Sequence, residues 1–443
     1  MHRVLLGICV VGLFLLSTAW GQDNSNDQQP VSRKEFEELK KDNAEMKQEL
    51  TDLKKQQAEQ ASNADQDAQD YDKQLKAIQE QVAKDQPGLE GLVIAGDAEF
   101  GFQTIRSTSL QKSDSTFFAD VSPLILWQPT DSHFLIEAAF DLNIAPVVAT
   151  QGDENSTLVV NLADISYEVC DYLAIGAGLF AVPFGQYHNH FDPPWINKFP
   201  DDPLAFDAIA PISEVGFFAK GAIPSGTTRW TYDVYVANGP NLATDDSTGT
   251  LGQLNYNDYT DLNGNKAVGG RIGFLPFYDM EMGYSLQFSM PNPDGFPDVH
   301  AFSQAADFHF KPLVKVLGGQ FDFSAEWIWS SVTPETYDPT GVLGFGPITF
   351  DNYREGGYFS LAYRPTEADN KILRNLEFLC RFDSLHAPVV VVNGAVESEP
   401  ESRWTFGIDY WITPYCAVKT AYEMAQEKGG DPNEFIFQVG IGL

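Results

Sequence analysis

The stretch that decides the fold is residues 173–223, LAIGAGLFAVPFGQYHNHFDPPWINKFPDDPLAFDAIAPISEVGFFAKGAI. Residues 173–184 and 213–223 alternate apolar and small side chains, as strands do. Residues 185–212 between them are rich in Pro, Asp and aromatic residues. A connection of about 28 residues is too long for a simple turn, and loops of this length are usually functional. The stretch therefore predicts a wall of paired strands whose interior is narrowed by a long loop.

The same two-residue periodicity begins at Leu89 and continues to Leu443. About sixteen such segments follow one another, each of roughly 10 to 14 residues, which exceeds the usual length of a soluble strand and suffices to cross a bilayer at a tilt. Apolar side chains occupy one face of each segment and polar or charged side chains the other. The predicted fold class is all-β, a transmembrane antiparallel β-barrel of about sixteen strands over residues 89–443.

The connections between these segments alternate between short and long, and the first long connection is predicted at Thr104 to Asp114. Short turns at one rim and long loops at the other are typical of outer-membrane barrels, with the short turns in the periplasm. Several aromatic residues fall near predicted strand ends, as interfacial girdles do; they are Trp127, Trp230, Tyr278, Tyr363 and Tyr415.

The N-terminus has the pattern of a secretory signal peptide. A basic start at Arg3 is followed by an apolar run over residues 4–16 and by small residues at Ala19 and Gly21, which predicts a signal peptide of residues 1–21. The apolar run is shorter than the roughly 20 residues of a spanning helix, and no later segment has such a run. The mature chain is expected to be exported without a transmembrane helix.

A polar linker, residues 22–30, leads to a predicted helical segment, residues 31–86. Ser32 and Glu35 form a capping box that marks the start of a helix. Apolar residues then recur at alternating spacings of three and four, and so polar a helix needs a partner to be stable. A periplasmic coiled coil is favoured over an isolated surface helix. The predicted seam residues are Phe36, Leu39, Asn43, Met46, Leu50 and Leu53.

The chain is strongly acidic, with 62 Asp and Glu against 28 Lys and Arg and a formal net charge of −34. Nucleic acid is excluded as a partner, because neutralising phosphates requires basic patches. An acidic field favours cations in any confined space that it lines. The composition therefore predicts a mild preference for cations inside the barrel.

Two motifs in the deciding stretch, GLFAVPFGQY at residues 178–187 and PWINKFPDDP at residues 194–203, resemble the strand and long third loop of Gram-negative porins related to the phosphate-selective group. RWTFGIDYWITP at residues 403–414 is similar to the closing strands of the same family. The resemblance implies a trimeric sixteen-stranded barrel whose third loop, residues 185–212, folds inward as a constriction. The arginine and lysine ladder of phosphate-binding members is not matched, so phosphate selectivity does not carry over.

Charges that face the interior of such a barrel tune its selectivity, whereas charges on the lipid face are costly. Opposed acidic and basic clusters across a pore create a transverse field that orders ions and polar solutes. The loop and the alternation along the strands together supply the candidates. The predicted constriction and lumen residues are Lys198, Asp201, Asp202, Asp207, Arg271, Arg381, Arg403, Glu137, Asp141 and Glu326.

Two other kinds of site receive less support. His188, His190 and Asp192 share one side of an extended segment and could ligate a metal, but this spacing alone is a weak indication of a metal site. The seven His of the chain show no arrangement with a rim serine that would indicate a hydrolase. We expect no catalytic residues, no metal and no cofactor.

The sequence therefore predicts an outer-membrane porin for passive diffusion of small hydrophilic solutes and ions, with mild cation preference. One alternative is a phosphate- or anion-selective porin, and a structural alternative is a tether that joins the outer membrane to the cell wall through the coiled-coil stalk. The expected partners are outer-membrane lipid and two further copies in a homotrimer. The expected location is the outer membrane, with the N-terminal segment in the periplasm.

Overall fold

A computed structural model gives the fold of the main domain. It describes residues 90–107, 112–130, 132–144, 157–244, 251–256, 260–337, 346–390, 396–397, 400–426 and 433–442. The predicted signal peptide, linker and coiled-coil segment, with its six seam residues, lie outside the described residues. Their boundaries remain predictions from the sequence.

The described residues form sixteen long strands. They are β1 (Leu92–Ser107), β2 (Lys112–Trp127), β3 (Phe134–Ile144), β4 (Thr157–Cys170), β5 (Leu173–Ala181), β6 (Ser213–Ser225), β7 (Thr228–Ala237), β8 (Ala267–Phe277), β9 (Met280–Ser289), β10 (Ala301–Phe310), β11 (Gly319–Val332), β12 (Asn352–Arg364), β13 (Leu376–His386), β14 (Glu401–Thr413), β15 (Cys416–Gln426) and β16 (Asn433–Gly442).

Each strand pairs antiparallel with the next, and β1 pairs antiparallel with β16, from Asp97 opposite Gly442 to Arg106 opposite Asn433. This last pairing closes the sheet into a barrel and leaves no free edge. The prediction of a sixteen-stranded antiparallel barrel is confirmed. Closure satisfies the backbone hydrogen bonds within the sheet, which a bilayer cannot do.

The two faces of the barrel wall have inverted polarity relative to a soluble protein. On β14, Arg403 and Thr405 point inward and are 6% and 0% exposed, whereas Trp404 and Phe406 are each 45% exposed. The same alternation places apolar side chains on the outside of the other strands and most buried charges inside. The outer surface therefore suits hydrocarbon and the interior suits water and ions.

The connections alternate in length around the two rims. Tight turns at 171–172, 226–227, 278–279 and 414–415 lie on the short-turn rim, where β1 begins and β16 ends. All five aromatic residues predicted at strand ends lie on this rim. The predicted first long connection, Thr104 to Asp114, is wrong in extent, because β1 and β2 remain paired as far as Ser107 opposite Lys112.

Short elements occupy the connections. The helical turns are Tyr187–Phe191 (a π-helix), Phe206–Ile209, Lys315–Leu317 (a 3-10 helix) and Lys371–Asn375. Two-residue strands form at Asn241–Leu242, Leu254–Asn255, Leu313–Val314, Thr336–Tyr337, Ile348–Thr349, Val389–Val390 and Val396–Glu397. Within the described ranges, no helix has both the length and the apolar character needed to span a membrane.

Candidate functional site: the inward loop

Residues 182–212, hereafter the inward loop, connect β5 to β6 and lie inside the barrel. Phe184, Tyr187 and Phe206 are almost completely buried, although they belong to a connection rather than a strand. They form an apolar cluster that includes Ile328 of β11 and Tyr358 of β12. An apolar underside explains why the loop packs onto the inner wall instead of extending into solvent.

The start of the loop is fixed by Glu326 of β11. Its carboxylate Oε2 accepts hydrogen bonds from the backbone N–H groups of Gln186 (2.8 Å) and Tyr187 (3.1 Å). Gly185 N–H donates to Ser285 Oγ of β9 at 3.0 Å. Gly185 has a φ of +71°, and a Cβ added there would lie 1.6 Å from Glu326 Oε1. Only glycine fits this approach of the backbone to the carboxylate.

Lys198 anchors the middle of the loop to the wall. Its Nζ lies 2.9 Å from Asp322 Oδ2 and 2.5 Å from Glu377 Oε1. Trp411 Nε1 donates to the other Glu377 oxygen at 2.7 Å. Burial alone would lower the pKa of Lys198, but the two carboxylates, Glu377 first, outweigh it and raise the pKa. The Lys198 charge therefore faces the wall and is neutralised there.

Two arginines of the wall bind the tip of the loop. Arg381 of β13 donates to the carbonyl oxygens of Asp201 (2.7 Å) and Asp202 (3.2 Å). Arg403 of β14 donates to the Asp202 carbonyl oxygen and forms an ion pair with the Asp201 carboxylate. Both arginines also contact Asp383 Oδ2, at 3.0 and 3.4 Å. The structure thus brings together four of the predicted residues in one network.

A hydrogen-bonded triad ties the two halves of the loop to each other. Tyr187 Oη donates to Asp202 Oδ1 at 2.5 Å and accepts from Asn197 Nδ2 at 2.8 Å. Gln438 of β16 donates to the Pro200 carbonyl oxygen at 3.4 Å, which adds a further wall strand to the contacts. The hydrogen bonds and ion pairs named here attach the loop to β9, β11, β13, β14 and β16.

The predicted Arg271 lies elsewhere in the barrel. On β8, its guanidinium pairs with Asp307 of β10 (2.7 Å) and Glu281 of β9 (2.9 Å). It takes no part in the Arg381–Arg403 network. Its charge is balanced locally by two carboxylates.

The predicted Glu137 and Asp141 belong to a different part of the wall, which we call the acidic face. Cross-strand pairing brings Glu137 opposite Asp164, and Asp141 contacts Asp120. In the closed ring of sixteen strands β3 lies eight strands from β11, whereas β1 is adjacent to β16, whose Gln438 donates to Glu99 Oε2 at 2.6 Å. The acidic face consists of Asp97 and Glu99 of β1, Asp120 of β2, Glu137 and Asp141 of β3, and Asp164 of β4.

Asp207 and His188 are two further candidate residues of the loop. Asp207 lies in the helix Phe206–Ile209, but its side chain is outside the described part of the structure. His188 packs against the rings of Tyr187 (5.6 Å) and Phe206 (5.2 Å), and burial lowers its pKa to about 4. In the described part of the chain, no group of three or more His, Cys, Asp or Glu side chains is arranged to hold a metal ion.

Sequence reasoning missed the wall partners Ser285 and Glu377 and the loop residue Tyr187. Glu377 lies on the same face of β13 as Arg381 and Asp383, so the two-residue periodicity could have identified it as an inward-facing residue. Ser285 faces inward like several other serines, and nothing in the sequence distinguishes it. Tyr187 reads as one more aromatic residue in an aromatic-rich loop.

The closed antiparallel barrel of sixteen strands has the fold of Gram-negative outer-membrane porins whose structures have been solved. OmpF of Salmonella typhi, solved with daunomycin, matches with 11% sequence identity and a TM-score of 0.51, covering 80% of this chain and 97% of that one. OprB of Pseudomonas putida, solved at high pH, matches with 10% identity and a TM-score of 0.52, covering 80% and 94%. No protein-family model matches the sequence, and no curated protein matches it.

Proposed function

We propose that this protein is an outer-membrane porin through which small hydrophilic solutes and ions diffuse passively, with a preference for cations. The observation that carries the proposal is the inward loop, held by Glu326, Lys198, Arg381 and Arg403 inside a closed barrel with a charged interior. A loop fixed across part of a water-filled bore sets the size of what can pass. A polar lining lowers the cost of moving ions past hydrocarbon.

The cation preference follows from how the interior charges are distributed. Lys198, Arg381 and Arg403 each contact carboxylates or loop carbonyl groups. The acidic face lies on β1 to β4, whereas the named contacts of the loop are to β9, β11, β13, β14 and β16. Permeating ions on that side therefore meet mainly negative charge, which raises the local concentration of cations.

An anion- or phosphate-selective porin would require arginines that are available to solutes. Arg381 and Arg403 meet at the loop, but they share Asp383 and hold the loop tip. Arg271 forms ion pairs with Asp307 and Glu281 on another part of the wall. This arrangement favours the cation-preferring porin over the anion-selective alternative.

Assembly into a homotrimer and attachment to the cell wall are two separate proposals. A homotrimer embedded in outer-membrane lipid, with residues 31–86 as a periplasmic stalk, agrees with the apolar outer surface of the barrel. The tether alternative concerns that same N-terminal segment, which lies outside the described residues. Deleting residues 31–84 separates the two functions, since a tether would lose co-sedimentation with the cell wall while a porin would keep conducting.

Conductance of the purified protein in planar bilayers tests the function directly. We expect stepwise, steady conductance and a reversal potential of cation-selective sign under a potassium chloride gradient. Absence of conductance by a correctly assembled barrel would contradict the porin proposal. An anion-selective reversal potential, or block by millimolar phosphate, would instead support the phosphate-channel alternative. Heat-modifiable electrophoretic mobility provides the control for barrel assembly.

A further inference from the structure

We propose that a small monovalent anion, chloride or a short carboxylate, binds beside Arg354 and holds the connections of the long-loop rim to the barrel wall. The site is formed by the first residues of β12 and by three of these connections. The inference goes beyond the proposed function, because it concerns the stability of the outer rim and does not depend on conductance.

The connections of the long-loop rim pack together into an apolar layer, hereafter the outer cap. Short strand pairs form within it, between Asn241–Leu242 and Leu254–Asn255 and between Thr336–Tyr337 and Ile348–Thr349. The outer cap is therefore a folded layer, and a ligand bound within it can control its stability. Its buried core is a cluster that consists of Leu242, Leu251, Leu254, Tyr256, Val299, Ala301, Val332, Tyr337, Ile348, Phe350 and Val390.

Arg354 of β12 is buried under the outer cap without an opposite charge. Its side chain is 3% exposed, and its guanidinium donates to two neutral acceptors, Asn352 Oδ1 at 2.9 Å and the Pro388 carbonyl oxygen at 3.3 Å. In the described part of the chain its electrostatic neighbours are the phenol groups of Tyr256 and Tyr337, and no carboxylate pairs with it. Neutral acceptors satisfy hydrogen bonds but leave the cost of a buried charge. An anion would remove that cost.

Two further donors lie close to the guanidinium. Tyr337 is 1% exposed, and its Oη atom has no hydrogen-bond partner among the described residues. The Asn352 amide, which accepts from Arg354, donates from Nδ2 to the Gly252 carbonyl oxygen at 2.7 Å. A Cβ added at Gly252 would lie 2.9 Å from Asn352 Nδ2 and 3.1 Å from Tyr337 Oη. Both groups therefore face the side of residue 252 that lacks a side chain, and they are close enough to share one ligand.

The carboxylates nearby do not supply the missing charge. Glu335 interacts electrostatically with Tyr337, and Glu214 interacts with Tyr256. Neither carboxylate is among the electrostatic neighbours of Arg354. One positive charge among neutral donors suits a monovalent anion, because a divalent anion would leave excess negative charge inside an apolar layer.

A bound anion would join three connections to the wall at one point. Asn352 contacts Gly252 of the β7–β8 connection, Arg354 contacts Pro388 of the β13–β14 connection, and Tyr337 belongs to the β11–β12 connection. An anion that binds the closed outer cap and not the open one lowers the opening equilibrium by a factor of one plus the ratio of its concentration to its Kd. Amide exchange in the outer cap should therefore slow as the anion concentration rises.

The test compares hydrogen exchange of the intact protein in sodium chloride, sodium acetate and sodium gluconate at equal ionic strength, gluconate being too large for the site. The probes are the amides of Ala243 and Gly252, which donate to carbonyl groups within the outer cap at 2.9 and 2.8 Å. We expect both to exchange at least about five-fold more slowly in about 1 M chloride than in gluconate. Slowing by chloride alone identifies a halide site, and slowing by acetate as well identifies a site that also admits carboxylates. Equal exchange in the three salts, or equal slowing at Gln186 of the inward loop, would overturn the proposal.

Substitution locates the site. Arg354→Gln removes the charge and keeps a donor, and its amide exchange in the outer cap should be the same in chloride and gluconate. The control Arg364→Gln, on the same strand at the short-turn rim, should keep the chloride dependence of the wild type. Tyr337→Phe keeps the ring and should weaken the effect of chloride. Full chloride dependence in Arg354→Gln would refute the site.

A direct measurement covers the case in which Arg354→Gln does not assemble. In crystals of the wild-type protein grown in sodium bromide, we expect an anomalous scattering peak beside Arg354, and absence of the peak would refute the site. The two proposals also fail separately. A conducting barrel without anion dependence refutes only the anion site, and an anion-dependent barrel without conductance refutes only the porin function.

Discussion

Removing the Glu326 carboxylate should release the start of the inward loop. In Glu326→Ala the N–H groups of Gln186 and Tyr187 lose their common acceptor, which is 1% exposed in the folded protein. Leaving a buried N–H group without its acceptor costs roughly 1–3 kcal/mol, so the loss of both hydrogen bonds destabilises the local structure by about 2–6 kcal/mol. The lower figure corresponds to a change of about 30-fold in the local opening equilibrium.

Hydrogen exchange at those two amides measures this equilibrium directly. We expect the amide exchange of Gln186 and Tyr187 to accelerate by about 30-fold or more in Glu326→Ala, where exchange proceeds by local opening. Glu326→Gln keeps one carbonyl acceptor and should give a rate between those of the wild type and Glu326→Ala. The open-channel current should become noisier, because a loosened loop fluctuates in the bore. Unchanged exchange in an assembled Glu326→Ala barrel would refute the assignment of Glu326 as the anchor.

Three further predictions concern the same loop. Gly185→Ala should accelerate amide exchange at Gln186 as Glu326→Ala does, because the new Cβ would overlap Glu326 Oε1. The double variant Gly185→Ala/Glu326→Ala should exchange no faster than Glu326→Ala alone. Additive effects would show that the two residues act separately. Arg403→Gln leaves the carboxylates of Glu423 and Asp201 without their shared cation. The reversal potential should therefore shift toward stronger cation selectivity. The control variant Arg229→Gln, near the rim, should leave the reversal potential unchanged. Burial keeps the pKa of His188 at about 4, below its ordinary value of 6.5. The folded loop holds this histidine neutral, so its contribution to stability is complete above pH 6.5 and is lost as the pH falls toward and through about 4. Current noise should therefore rise between pH 6.5 and 4, and His188→Gln should reduce that rise; the same pH profile in the variant would contradict this cause.

The barrel could be predicted from sequence because its physical requirement repeats along the chain. Each strand must present apolar side chains to lipid and polar ones to the bore, and the alternation on β14 from Arg403 to Asp409 shows this pattern without a break. Strand ends were less predictable. The polar residues between Thr104 and Asp114 indicate a loop, yet β1 and β2 pair through most of them. Polarity marks where a strand leaves hydrocarbon, and pairing can continue beyond that point.

The charged residues of the site were predicted as a set, but their individual roles were not. Alternation shows that Arg381 and Arg403 face inward, and composition places Lys198 and Asp201 in the loop. Neither the alternation nor the composition predicts which inward-facing residues the folded loop contacts. The register of the loop on the wall depends on specific contacts, such as Tyr187 Oη with Asp202, between residues without periodic spacing. The predicted constriction charges therefore include several that hold the loop in place.

The anchoring of the loop has a consequence for selectivity. The bore is acidic in composition, but a solute responds only to charges that remain accessible. Lys198, Arg381 and Arg403 form ion pairs with carboxylates of the wall and the loop. Because these carboxylates balance their charge, their contribution to the electric field in the open bore is small. Among the described residues, no lysine or arginine of the loop pairs with the carboxylates of the acidic face. Selectivity in this barrel is therefore set by where the loop is attached as much as by which charges the wall contains.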